Sequence, residues 1–199
     1  MDMPRKKTFQ RDEVLQKAVK LFWKQGYHAT SMQDLVDHLG INRSSIYDTF
    51  ESKENLFLEA LREYRRQNSA AYQGLSARLK EQNVLDFLHS FLKNVALSSL
   101  RDPDRKGCFM ANCTAEVSAE LDAALRLLMQ NKEAFVDAFA QAIYTGQQRG
   151  EIRAEKPPEY LASYLFTFLN GLQLISRIET DPEVLLGSVE VALSSLAPV

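Results

Sequence analysis

Three sets of residues in this chain have side chains able to do chemistry. Asn42, Arg43, Ser44, Ser45 and Tyr47 form a run of small hydrogen-bonding groups with one cation, within NRSSIYDTF. Cys108 and Cys113 stand in GCFMANCTAE, closed by Glu116. His28, His38 and His89 are scattered singly. The first set suits recognition of a polar, anionic surface. A guanidinium offers paired donors that match guanine O6 and N7. Small neighbours let the backbone approach closely, and a tyrosine donates its hydroxyl to a phosphate while its ring packs. Ser31 and Lys53, each near a helix start, suit phosphates through backbone N–H groups, the helix dipole and charge. The cysteines are five apart, about 140° around a helix, so they share no face and make no tidy metal pair. Each reads as a small buried hydrophobe. A second reading makes Cys108 or Cys113 a sensor of oxidants or electrophiles, with Arg105 and Lys106 lowering the pKa of Cys108. Scattered histidines do not assemble a metal site, and no cofactor is expected.

These groups need elements to position them, and the periodicity is helical nearly throughout. A first helix is expected from about Arg11 to Gln25, burying Val14, Leu15, Ala18, Leu21 and Phe22 and stopping at Gly26. A second runs from Ser31 to Leu39, with Met32, Leu35, Val36 and Leu39 on one face; Ser31 with Asp34 forms a capping-box-like start. Gly40 ends it in a left-handed conformation. Asn42 caps a short third helix whose inward residues are Ile46 and Phe50. A fourth opens at Ser52 and continues towards Leu79. Further helices are expected at roughly 84–100, 118–149, 157–178 and 183–196, with a less regular piece around RKGCFMANCTAE and breaks at Pro103, Pro157-Pro158 and Pro182. The fold class is therefore all-α.

Composition bounds the rest. The 199 residues are 45% hydrophobic and 25% charged, ample for a core and ordinary for a soluble protein. Net charge is −2, so any anionic partner must meet a local patch. Up to Lys53 there are nine basic and seven acidic residues, a balance of +2; beyond it 15 and 19, a balance of −4. A mildly basic block of short helices, residues 1–53, precedes an acidic block of long ones, 54–199. MDMPRKKTFQ carries three basic residues and one acid, and no signal-peptide core follows. Two cysteines suit a reducing cytosol, and a cytoplasmic protein is expected. Residues 160–176 lack charge but number 17 and include five polar side chains, so they read as a buried helix rather than a membrane span.

Helix, glycine turn and polar-tipped short helix over residues 31–50 have the arrangement of a helix-turn-helix, and RKKTFQR is a basic head placed to reach an adjacent groove or backbone. The stretch EVLQKAVKLFWKQGYHATSMQDLVDHLGINRSSIYDTFESKENLF resembles the N-terminal domain of the TetR family of bacterial transcriptional regulators. The resemblance implies three N-terminal helices that bind double-stranded operator DNA and a helical remainder that dimerises and encloses a ligand pocket. It implies that Arg43, Ser44 and Ser45 face bases, with Ser31, Tyr47 and Lys53 on phosphates. One departure stands out: Asp48 and Thr49 lie where many members carry a basic or imidazole residue. An acid there weakens phosphate contact or accepts from a cytosine amino group. The operator of a relative does not transfer.

The second block supplies partners. Leu161, Leu165, Phe168 and Leu172, with Val189 and Leu193, are expected to form a four-helix seam across a two-fold axis in a homodimer. Phe87, Phe91, Phe135, Phe139, Phe166 and Phe168 fill a core or line an apolar pocket. The function expected is a homodimeric regulator, a repressor, released from a palindromic operator by an unknown small-molecule effector, with thiol sensing as a variant. Two other classes are weighed against it. An all-α enzyme using either cysteine with Glu116 and a histidine lacks a nucleophile motif. A helical adaptor that binds only proteins would show no salt-dependent binding to duplex DNA.

Overall fold

Nine helices and no strand occur among the described residues, which are 9–68, 79, 82–117 and 121–198 of a computed structural model. They are α1 (Arg11–Gln25), α2 (Met32–Leu39), α3 (Arg43–Phe50), α4 (Lys53–Asn68), α5 (Val84–Arg101), α6 (Phe109–Glu116), α7 (Asp122–Gln148), α8 (Pro158–Ile175) and α9 (Pro182–Ser194). The basic residues Arg5, Lys6 and Lys7, and the stretch in which the fourth helix was expected to run on towards Leu79, lie outside the described residues, as do 118–120. No helix among the described residues is long and apolar enough to cross a membrane.

Local chemistry sets the N-terminal boundaries. α1 stops at Gly26, whose φ of 83° suits glycine and whose amide donates to Phe22 O at 2.8 Å. α2 opens with a complete capping box: the Ser31 side chain accepts from the Asp34 amide, and the Asp34 carboxylate accepts from the Ser31 amide. It closes on Gly40 in the left-handed region. Asn42 caps α3 by accepting from the Ser45 amide at 2.8 Å, and the Asn55 amide donates to Ser52 Oγ at the head of α4.

The piece expected to be irregular contains a helix. α6 occupies Phe109–Glu116, after a turn at Gly107 that is tied down by Asn112 Nδ2 donating to Lys106 O at 2.7 Å. Its buried residues, Phe109, Met110, Ala111 and Cys113, lie on several sides, so no single apolar stripe marks it as amphipathic.

Two hydrophobic cores result. The first gathers Phe22, Leu35, Leu39, Ile46, Phe50, Phe57 and neighbours from α1 to α4, and also takes in Phe109, Met110 and Cys113 of α6 and the first turns of α7 through Leu128. Aromatic edges knit it: Phe22 meets Phe57 at 5.2 Å, and Phe109 meets both Phe57 and Tyr64. The second joins α5, the rest of α7, α8 and α9. α4 and α6 thus belong to the reading end of the molecule while touching the other core.

Candidate nucleic-acid interface

The short α3 is pinned from below by Ile46 and Phe50, which are 0% and 2% exposed. Arg11 lies over the Phe50 ring at 5.1 Å and pairs with Glu59, binding the first, third and fourth helices together. With its inward face held, the opposite face of α3 meets solvent: Asn42, Arg43, Ser44, Tyr47 and Asp48 are exposed and Ser45 is half-buried. The Asn42 carboxamide oxygen also accepts from the Ser44 hydroxyl at 2.9 Å, so the tip is ordered by the chain itself. The Arg43 guanidinium lies over the Tyr47 ring, 5.7 Å from its centroid, with Nη2 3.4 Å from the Tyr47 hydroxyl. An exposed cation at the first residue of the helix, stacked on a ring one turn on, stands where a groove reader needs one.

The two flanking residues sit differently. Ser31 donates its hydroxyl hydrogen to Asp34 Oδ2 at 2.6 Å, and these bonds hold the Asp34 carboxyl below the usual carboxylate range. A phosphate reaching Ser31 must compete with that carboxylate. Lys53 is half-buried, with Nζ 4.3 Å from the Tyr27 ring centroid. Burial pulls its pKa down, while Glu116 and Asp34 pull it back up. Lys53 therefore stands at a junction of the turn after α1, the start of α2 and the end of α6.

Glu116 is a feature that local sequence patterns do not reveal. Its carboxylate accepts from the His28 amide at 2.6 Å, across 88 residues, and packs so close to Gly26 that an added Cβ would lie 2.6 Å from Oε2. Trp23 Nε1 donates to Gly107 O at 3.1 Å, and Lys106 lies over the Trp23 ring. α6 and the turn before it thus clamp the end of α1 and the turn leading into α2.

The thiols separate. Cys113 is buried and its thiol is pushed well above the ordinary range, by burial first and Glu116 second. Cys108 is half-buried and accepts from the Tyr64 hydroxyl at 3.6 Å. The cations expected to activate Cys108 are engaged elsewhere: Lys106 pairs with Asp102 and Asp104, and Arg105 donates to Glu179 O. No cluster of metal-ligating side chains occurs among the described residues.

The six apolar side chains expected at a dimer seam divide as well. Leu161, Leu165, Leu172, Val189 and Leu193 lie in the chain's own second core, while Phe168 is half-buried. Those five leave little surface to offer a partner, whereas Phe168 keeps part of its own. The large apolar side chains that α8, α9 and the turn between them expose are Tyr160 at 70%, Ile178 at 78% and Val191 at 73%, together with Tyr164, Leu174, Ile175 and Val184.

With this geometry in place, known proteins bear on it. Residues 14–60 match the model for bacterial regulatory proteins of the tetR family, and residues 85–189 match the model for the tetracyclin repressor-like C-terminal domain. The chain belongs to the TetR family. Among its relatives, the uncharacterized HTH-type transcriptional regulator YezE of Bacillus subtilis (strain 168) is 32% identical over 197 residues, 98% of this chain and 100% of that protein. The HTH-type transcriptional repressor ComR of Escherichia coli (strain K12) is 30% identical over 173 residues, covering 87% and 82% of the two chains. Among solved structures, a cysteine mutant of the TetR family transcriptional regulator CifR, complexed with 26-bp double-strand operator DNA, superposes with a TM-score of 0.83. It is 27% identical and covers 98% of this chain and 100% of that one. The chain is a DNA-binding transcriptional regulator with an N-terminal helix-turn-helix.

Proposed function

We propose that this protein is a homodimeric repressor that grips a palindromic DNA operator in the cytoplasm and releases it when a small molecule occupies the C-terminal domain. The observation that carries the reading is the tip of α3: Arg43 and Ser44 exposed and Ser45 half-exposed at a capped N-terminus, on a helix anchored from behind by Ile46 and Phe50. Arg43, Ser44 and Ser45 read bases in the major groove; Ser31, Tyr47 and Lys53 hold phosphates. One short head touches few base pairs, and a second copy adds another head about 35 Å away, one helical turn along the duplex. The exposed apolar face around Tyr160, Ile178 and Val191 supplies the pairing surface. The effector acts only by binding the DNA-incompetent arrangement of the heads better than the competent one. α6 supports such coupling, because it packs on α8 as well as α4 and grips the α1–α2 turn through Glu116.

Genomic footprinting of the purified protein tests the reading, followed by binding of the recovered site at several salt concentrations. A two-fold symmetric footprint with salt-dependent affinity is expected; a protein that protects no duplex overturns it. Ile178→Glu is expected to yield monomers in sedimentation and to weaken operator binding. A thiol-sensing variant has one observation in its favour, the half-buried Cys108 hydrogen-bonded to Tyr64, and assigns the role to Cys108 rather than to the buried Cys113. Equal operator release by wild type and Cys108→Ser after electrophile treatment removes that variant.

A further inference from the structure

Between α4, α5, α7 and α8 lies a chamber of about 160 Å³. Its apolar walls include Phe91, Val95, Phe135, Phe166 and Leu169. The rings are taken up with one another. Phe135 stacks on Phe139 at 4.0 Å, Phe166 meets Phe135 edge-on at 5.3 Å, and Phe91 tilts against Phe139 at 5.4 Å. The walls therefore ask an occupant for apolar area and not for a ring. A cavity of about 150 Å³ accepts a molecule of about six carbons, which sets its size.

Charge decides the class. Arg65 reaches the chamber from α4 and is the one ionised side chain in its lining among the described residues. A guanidinium keeps its charge in a protein. Its Nη1 donates to Gln130 Oε1 and its Nη2 to Gln130 O, each at 3.5 Å. Both acceptors are neutral, and both distances are long for bonds from a cation. Arg65 forms no ion pair with any described residue. Lys106, the cation of the adjoining depression, is by contrast paired with Asp102 at 2.7 Å and Asp104 at 3.2 Å. A half-buried positive charge beside apolar walls is thus left without an anion, where its field is less screened than in water. A carboxylate presents two oxygens that the guanidinium fork matches. A dianion would bring a second charge for which the described lining holds no cation.

We infer that this chamber takes a small apolar monocarboxylate, its tail among the aromatic and aliphatic walls and its carboxylate on Arg65. The inference deepens the effector reading above and rests on it for its regulatory meaning. Past Tyr64, Phe91 and Gln173 the chamber opens onto a wider depression of about 640 Å³, which gives a longer tail somewhere to extend.

Calorimetric titration of the full-length protein at neutral pH with hexanoate, hexanol and hexylamine tests it. The three probes share a tail and end in an anion, a neutral hydroxyl and a cation. Hexanoate is expected to bind at least about tenfold tighter than hexanol, the ratio that a hydrogen bond between charged groups supplies, with hexylamine weakest. Arg65→Gln should bring hexanoate down to the level of hexanol while leaving hexanol unchanged. Arg62→Gln, at an exposed position of the same helix outside the lining, should keep the preference. Where circular dichroism shows that Arg65→Gln does not fold, Arg65→Met carries the same comparison. Equal binding of hexanoate and hexanol, tighter binding of hexylamine, or binding of none of the three overturns the inference. An undiminished preference without Arg65, or its loss in Arg62→Gln, does so as well. Titrating hexanoate into the complex with footprinted DNA separates this from the effector reading. Hexanoate bound with the expected preference and DNA retained keeps the chamber assignment and removes its regulatory role. DNA released by hexanoate and hexanol alike, with no dependence on Arg65, removes the assigned class instead.

Discussion

The two ends of this molecule differ in what they leave open. At the reading end, the hydroxyls and amides near the α3 tip are partnered within the chain: Asn42 holds Ser44 and Ser45, Ser31 holds Asp34, and Arg43 lies on Tyr47. Around the second core, Asn68, Asn170 and Gln173 line a chamber of about 160 Å³, and an apolar face near Ile178 and Val191 meets water. The first region is stiffened before it meets DNA, which lowers the entropy of ordering on binding. The second keeps an open chamber and an exposed apolar face, of the kind that small molecules and protein partners fill. A regulator needs both: a reader that does not bend and a body that has something left to bind.

The contrast can be broken most severely at the seam between the regions. Phe109 is fully buried on α6 and meets Phe57 and Tyr64 edge-on. Phe109→Ala is expected to destabilise the protein by about 3–5 kcal/mol, read by thermal melting. A loss below about 1 kcal/mol would mean that α6 is not part of the reading core. Next comes the reader itself. Arg43→Ala should cost about 1–3 kcal/mol of operator affinity and relax specificity at one position, whereas Lys53→Ala should weaken every sequence alike and lower the salt slope by about one. Identical behaviour of the two variants would overturn the division of roles. A smaller effect is expected at the cap: Asn42→Ala should destabilise by about 1 kcal/mol and loosen the tip, measured by denaturant titration.

The subtlest test is one of pH. The Glu63 carboxylate accepts from Nε and Nη2 of Arg66 and from Gln16 and Gln67, tying α4 to α1. The Arg66 hydrogen bond is the main stabilising contact, and the carboxyl pKa is held at about 2, below its ordinary 4.5. Because the folded value is the depressed one, this contribution is complete above the ordinary value and fades as pH falls from about 5 towards about 2. Glu63→Gln should flatten that part of the acid unfolding curve. An unchanged acid slope would count against the tie.

What could be read from the chain beforehand followed range of interaction. α1, the Ser31 start, the Gly40 stop, the Asn42 cap and the inward pair Ile46 and Phe50 all depend on neighbours a few residues apart, and all appear as expected. α6 did not declare itself, because a helix buried on several sides carries no stripe. The grip of Glu116 on His28 spans 88 residues and leaves no local pattern. On α8 and α9 the period correctly marked an apolar face but not its destination: Leu165 and Val189 turn inward, while Tyr160 and Val191 face out. Periodicity tells which residues share a face, and only packing tells what that face meets.

The sharing of Phe109, Met110 and Cys113 with the first core bears on how such regulators diversify. A reading head cut out after α3 and grafted onto another body would leave behind aromatic filling and the carboxylate that braces its entry turn. Chimeras that swap operator preference should therefore succeed when they exchange only the outward residues of α3, and fail when they transplant the head whole without a matching α6. In this protein the interchangeable unit is a patch of surface.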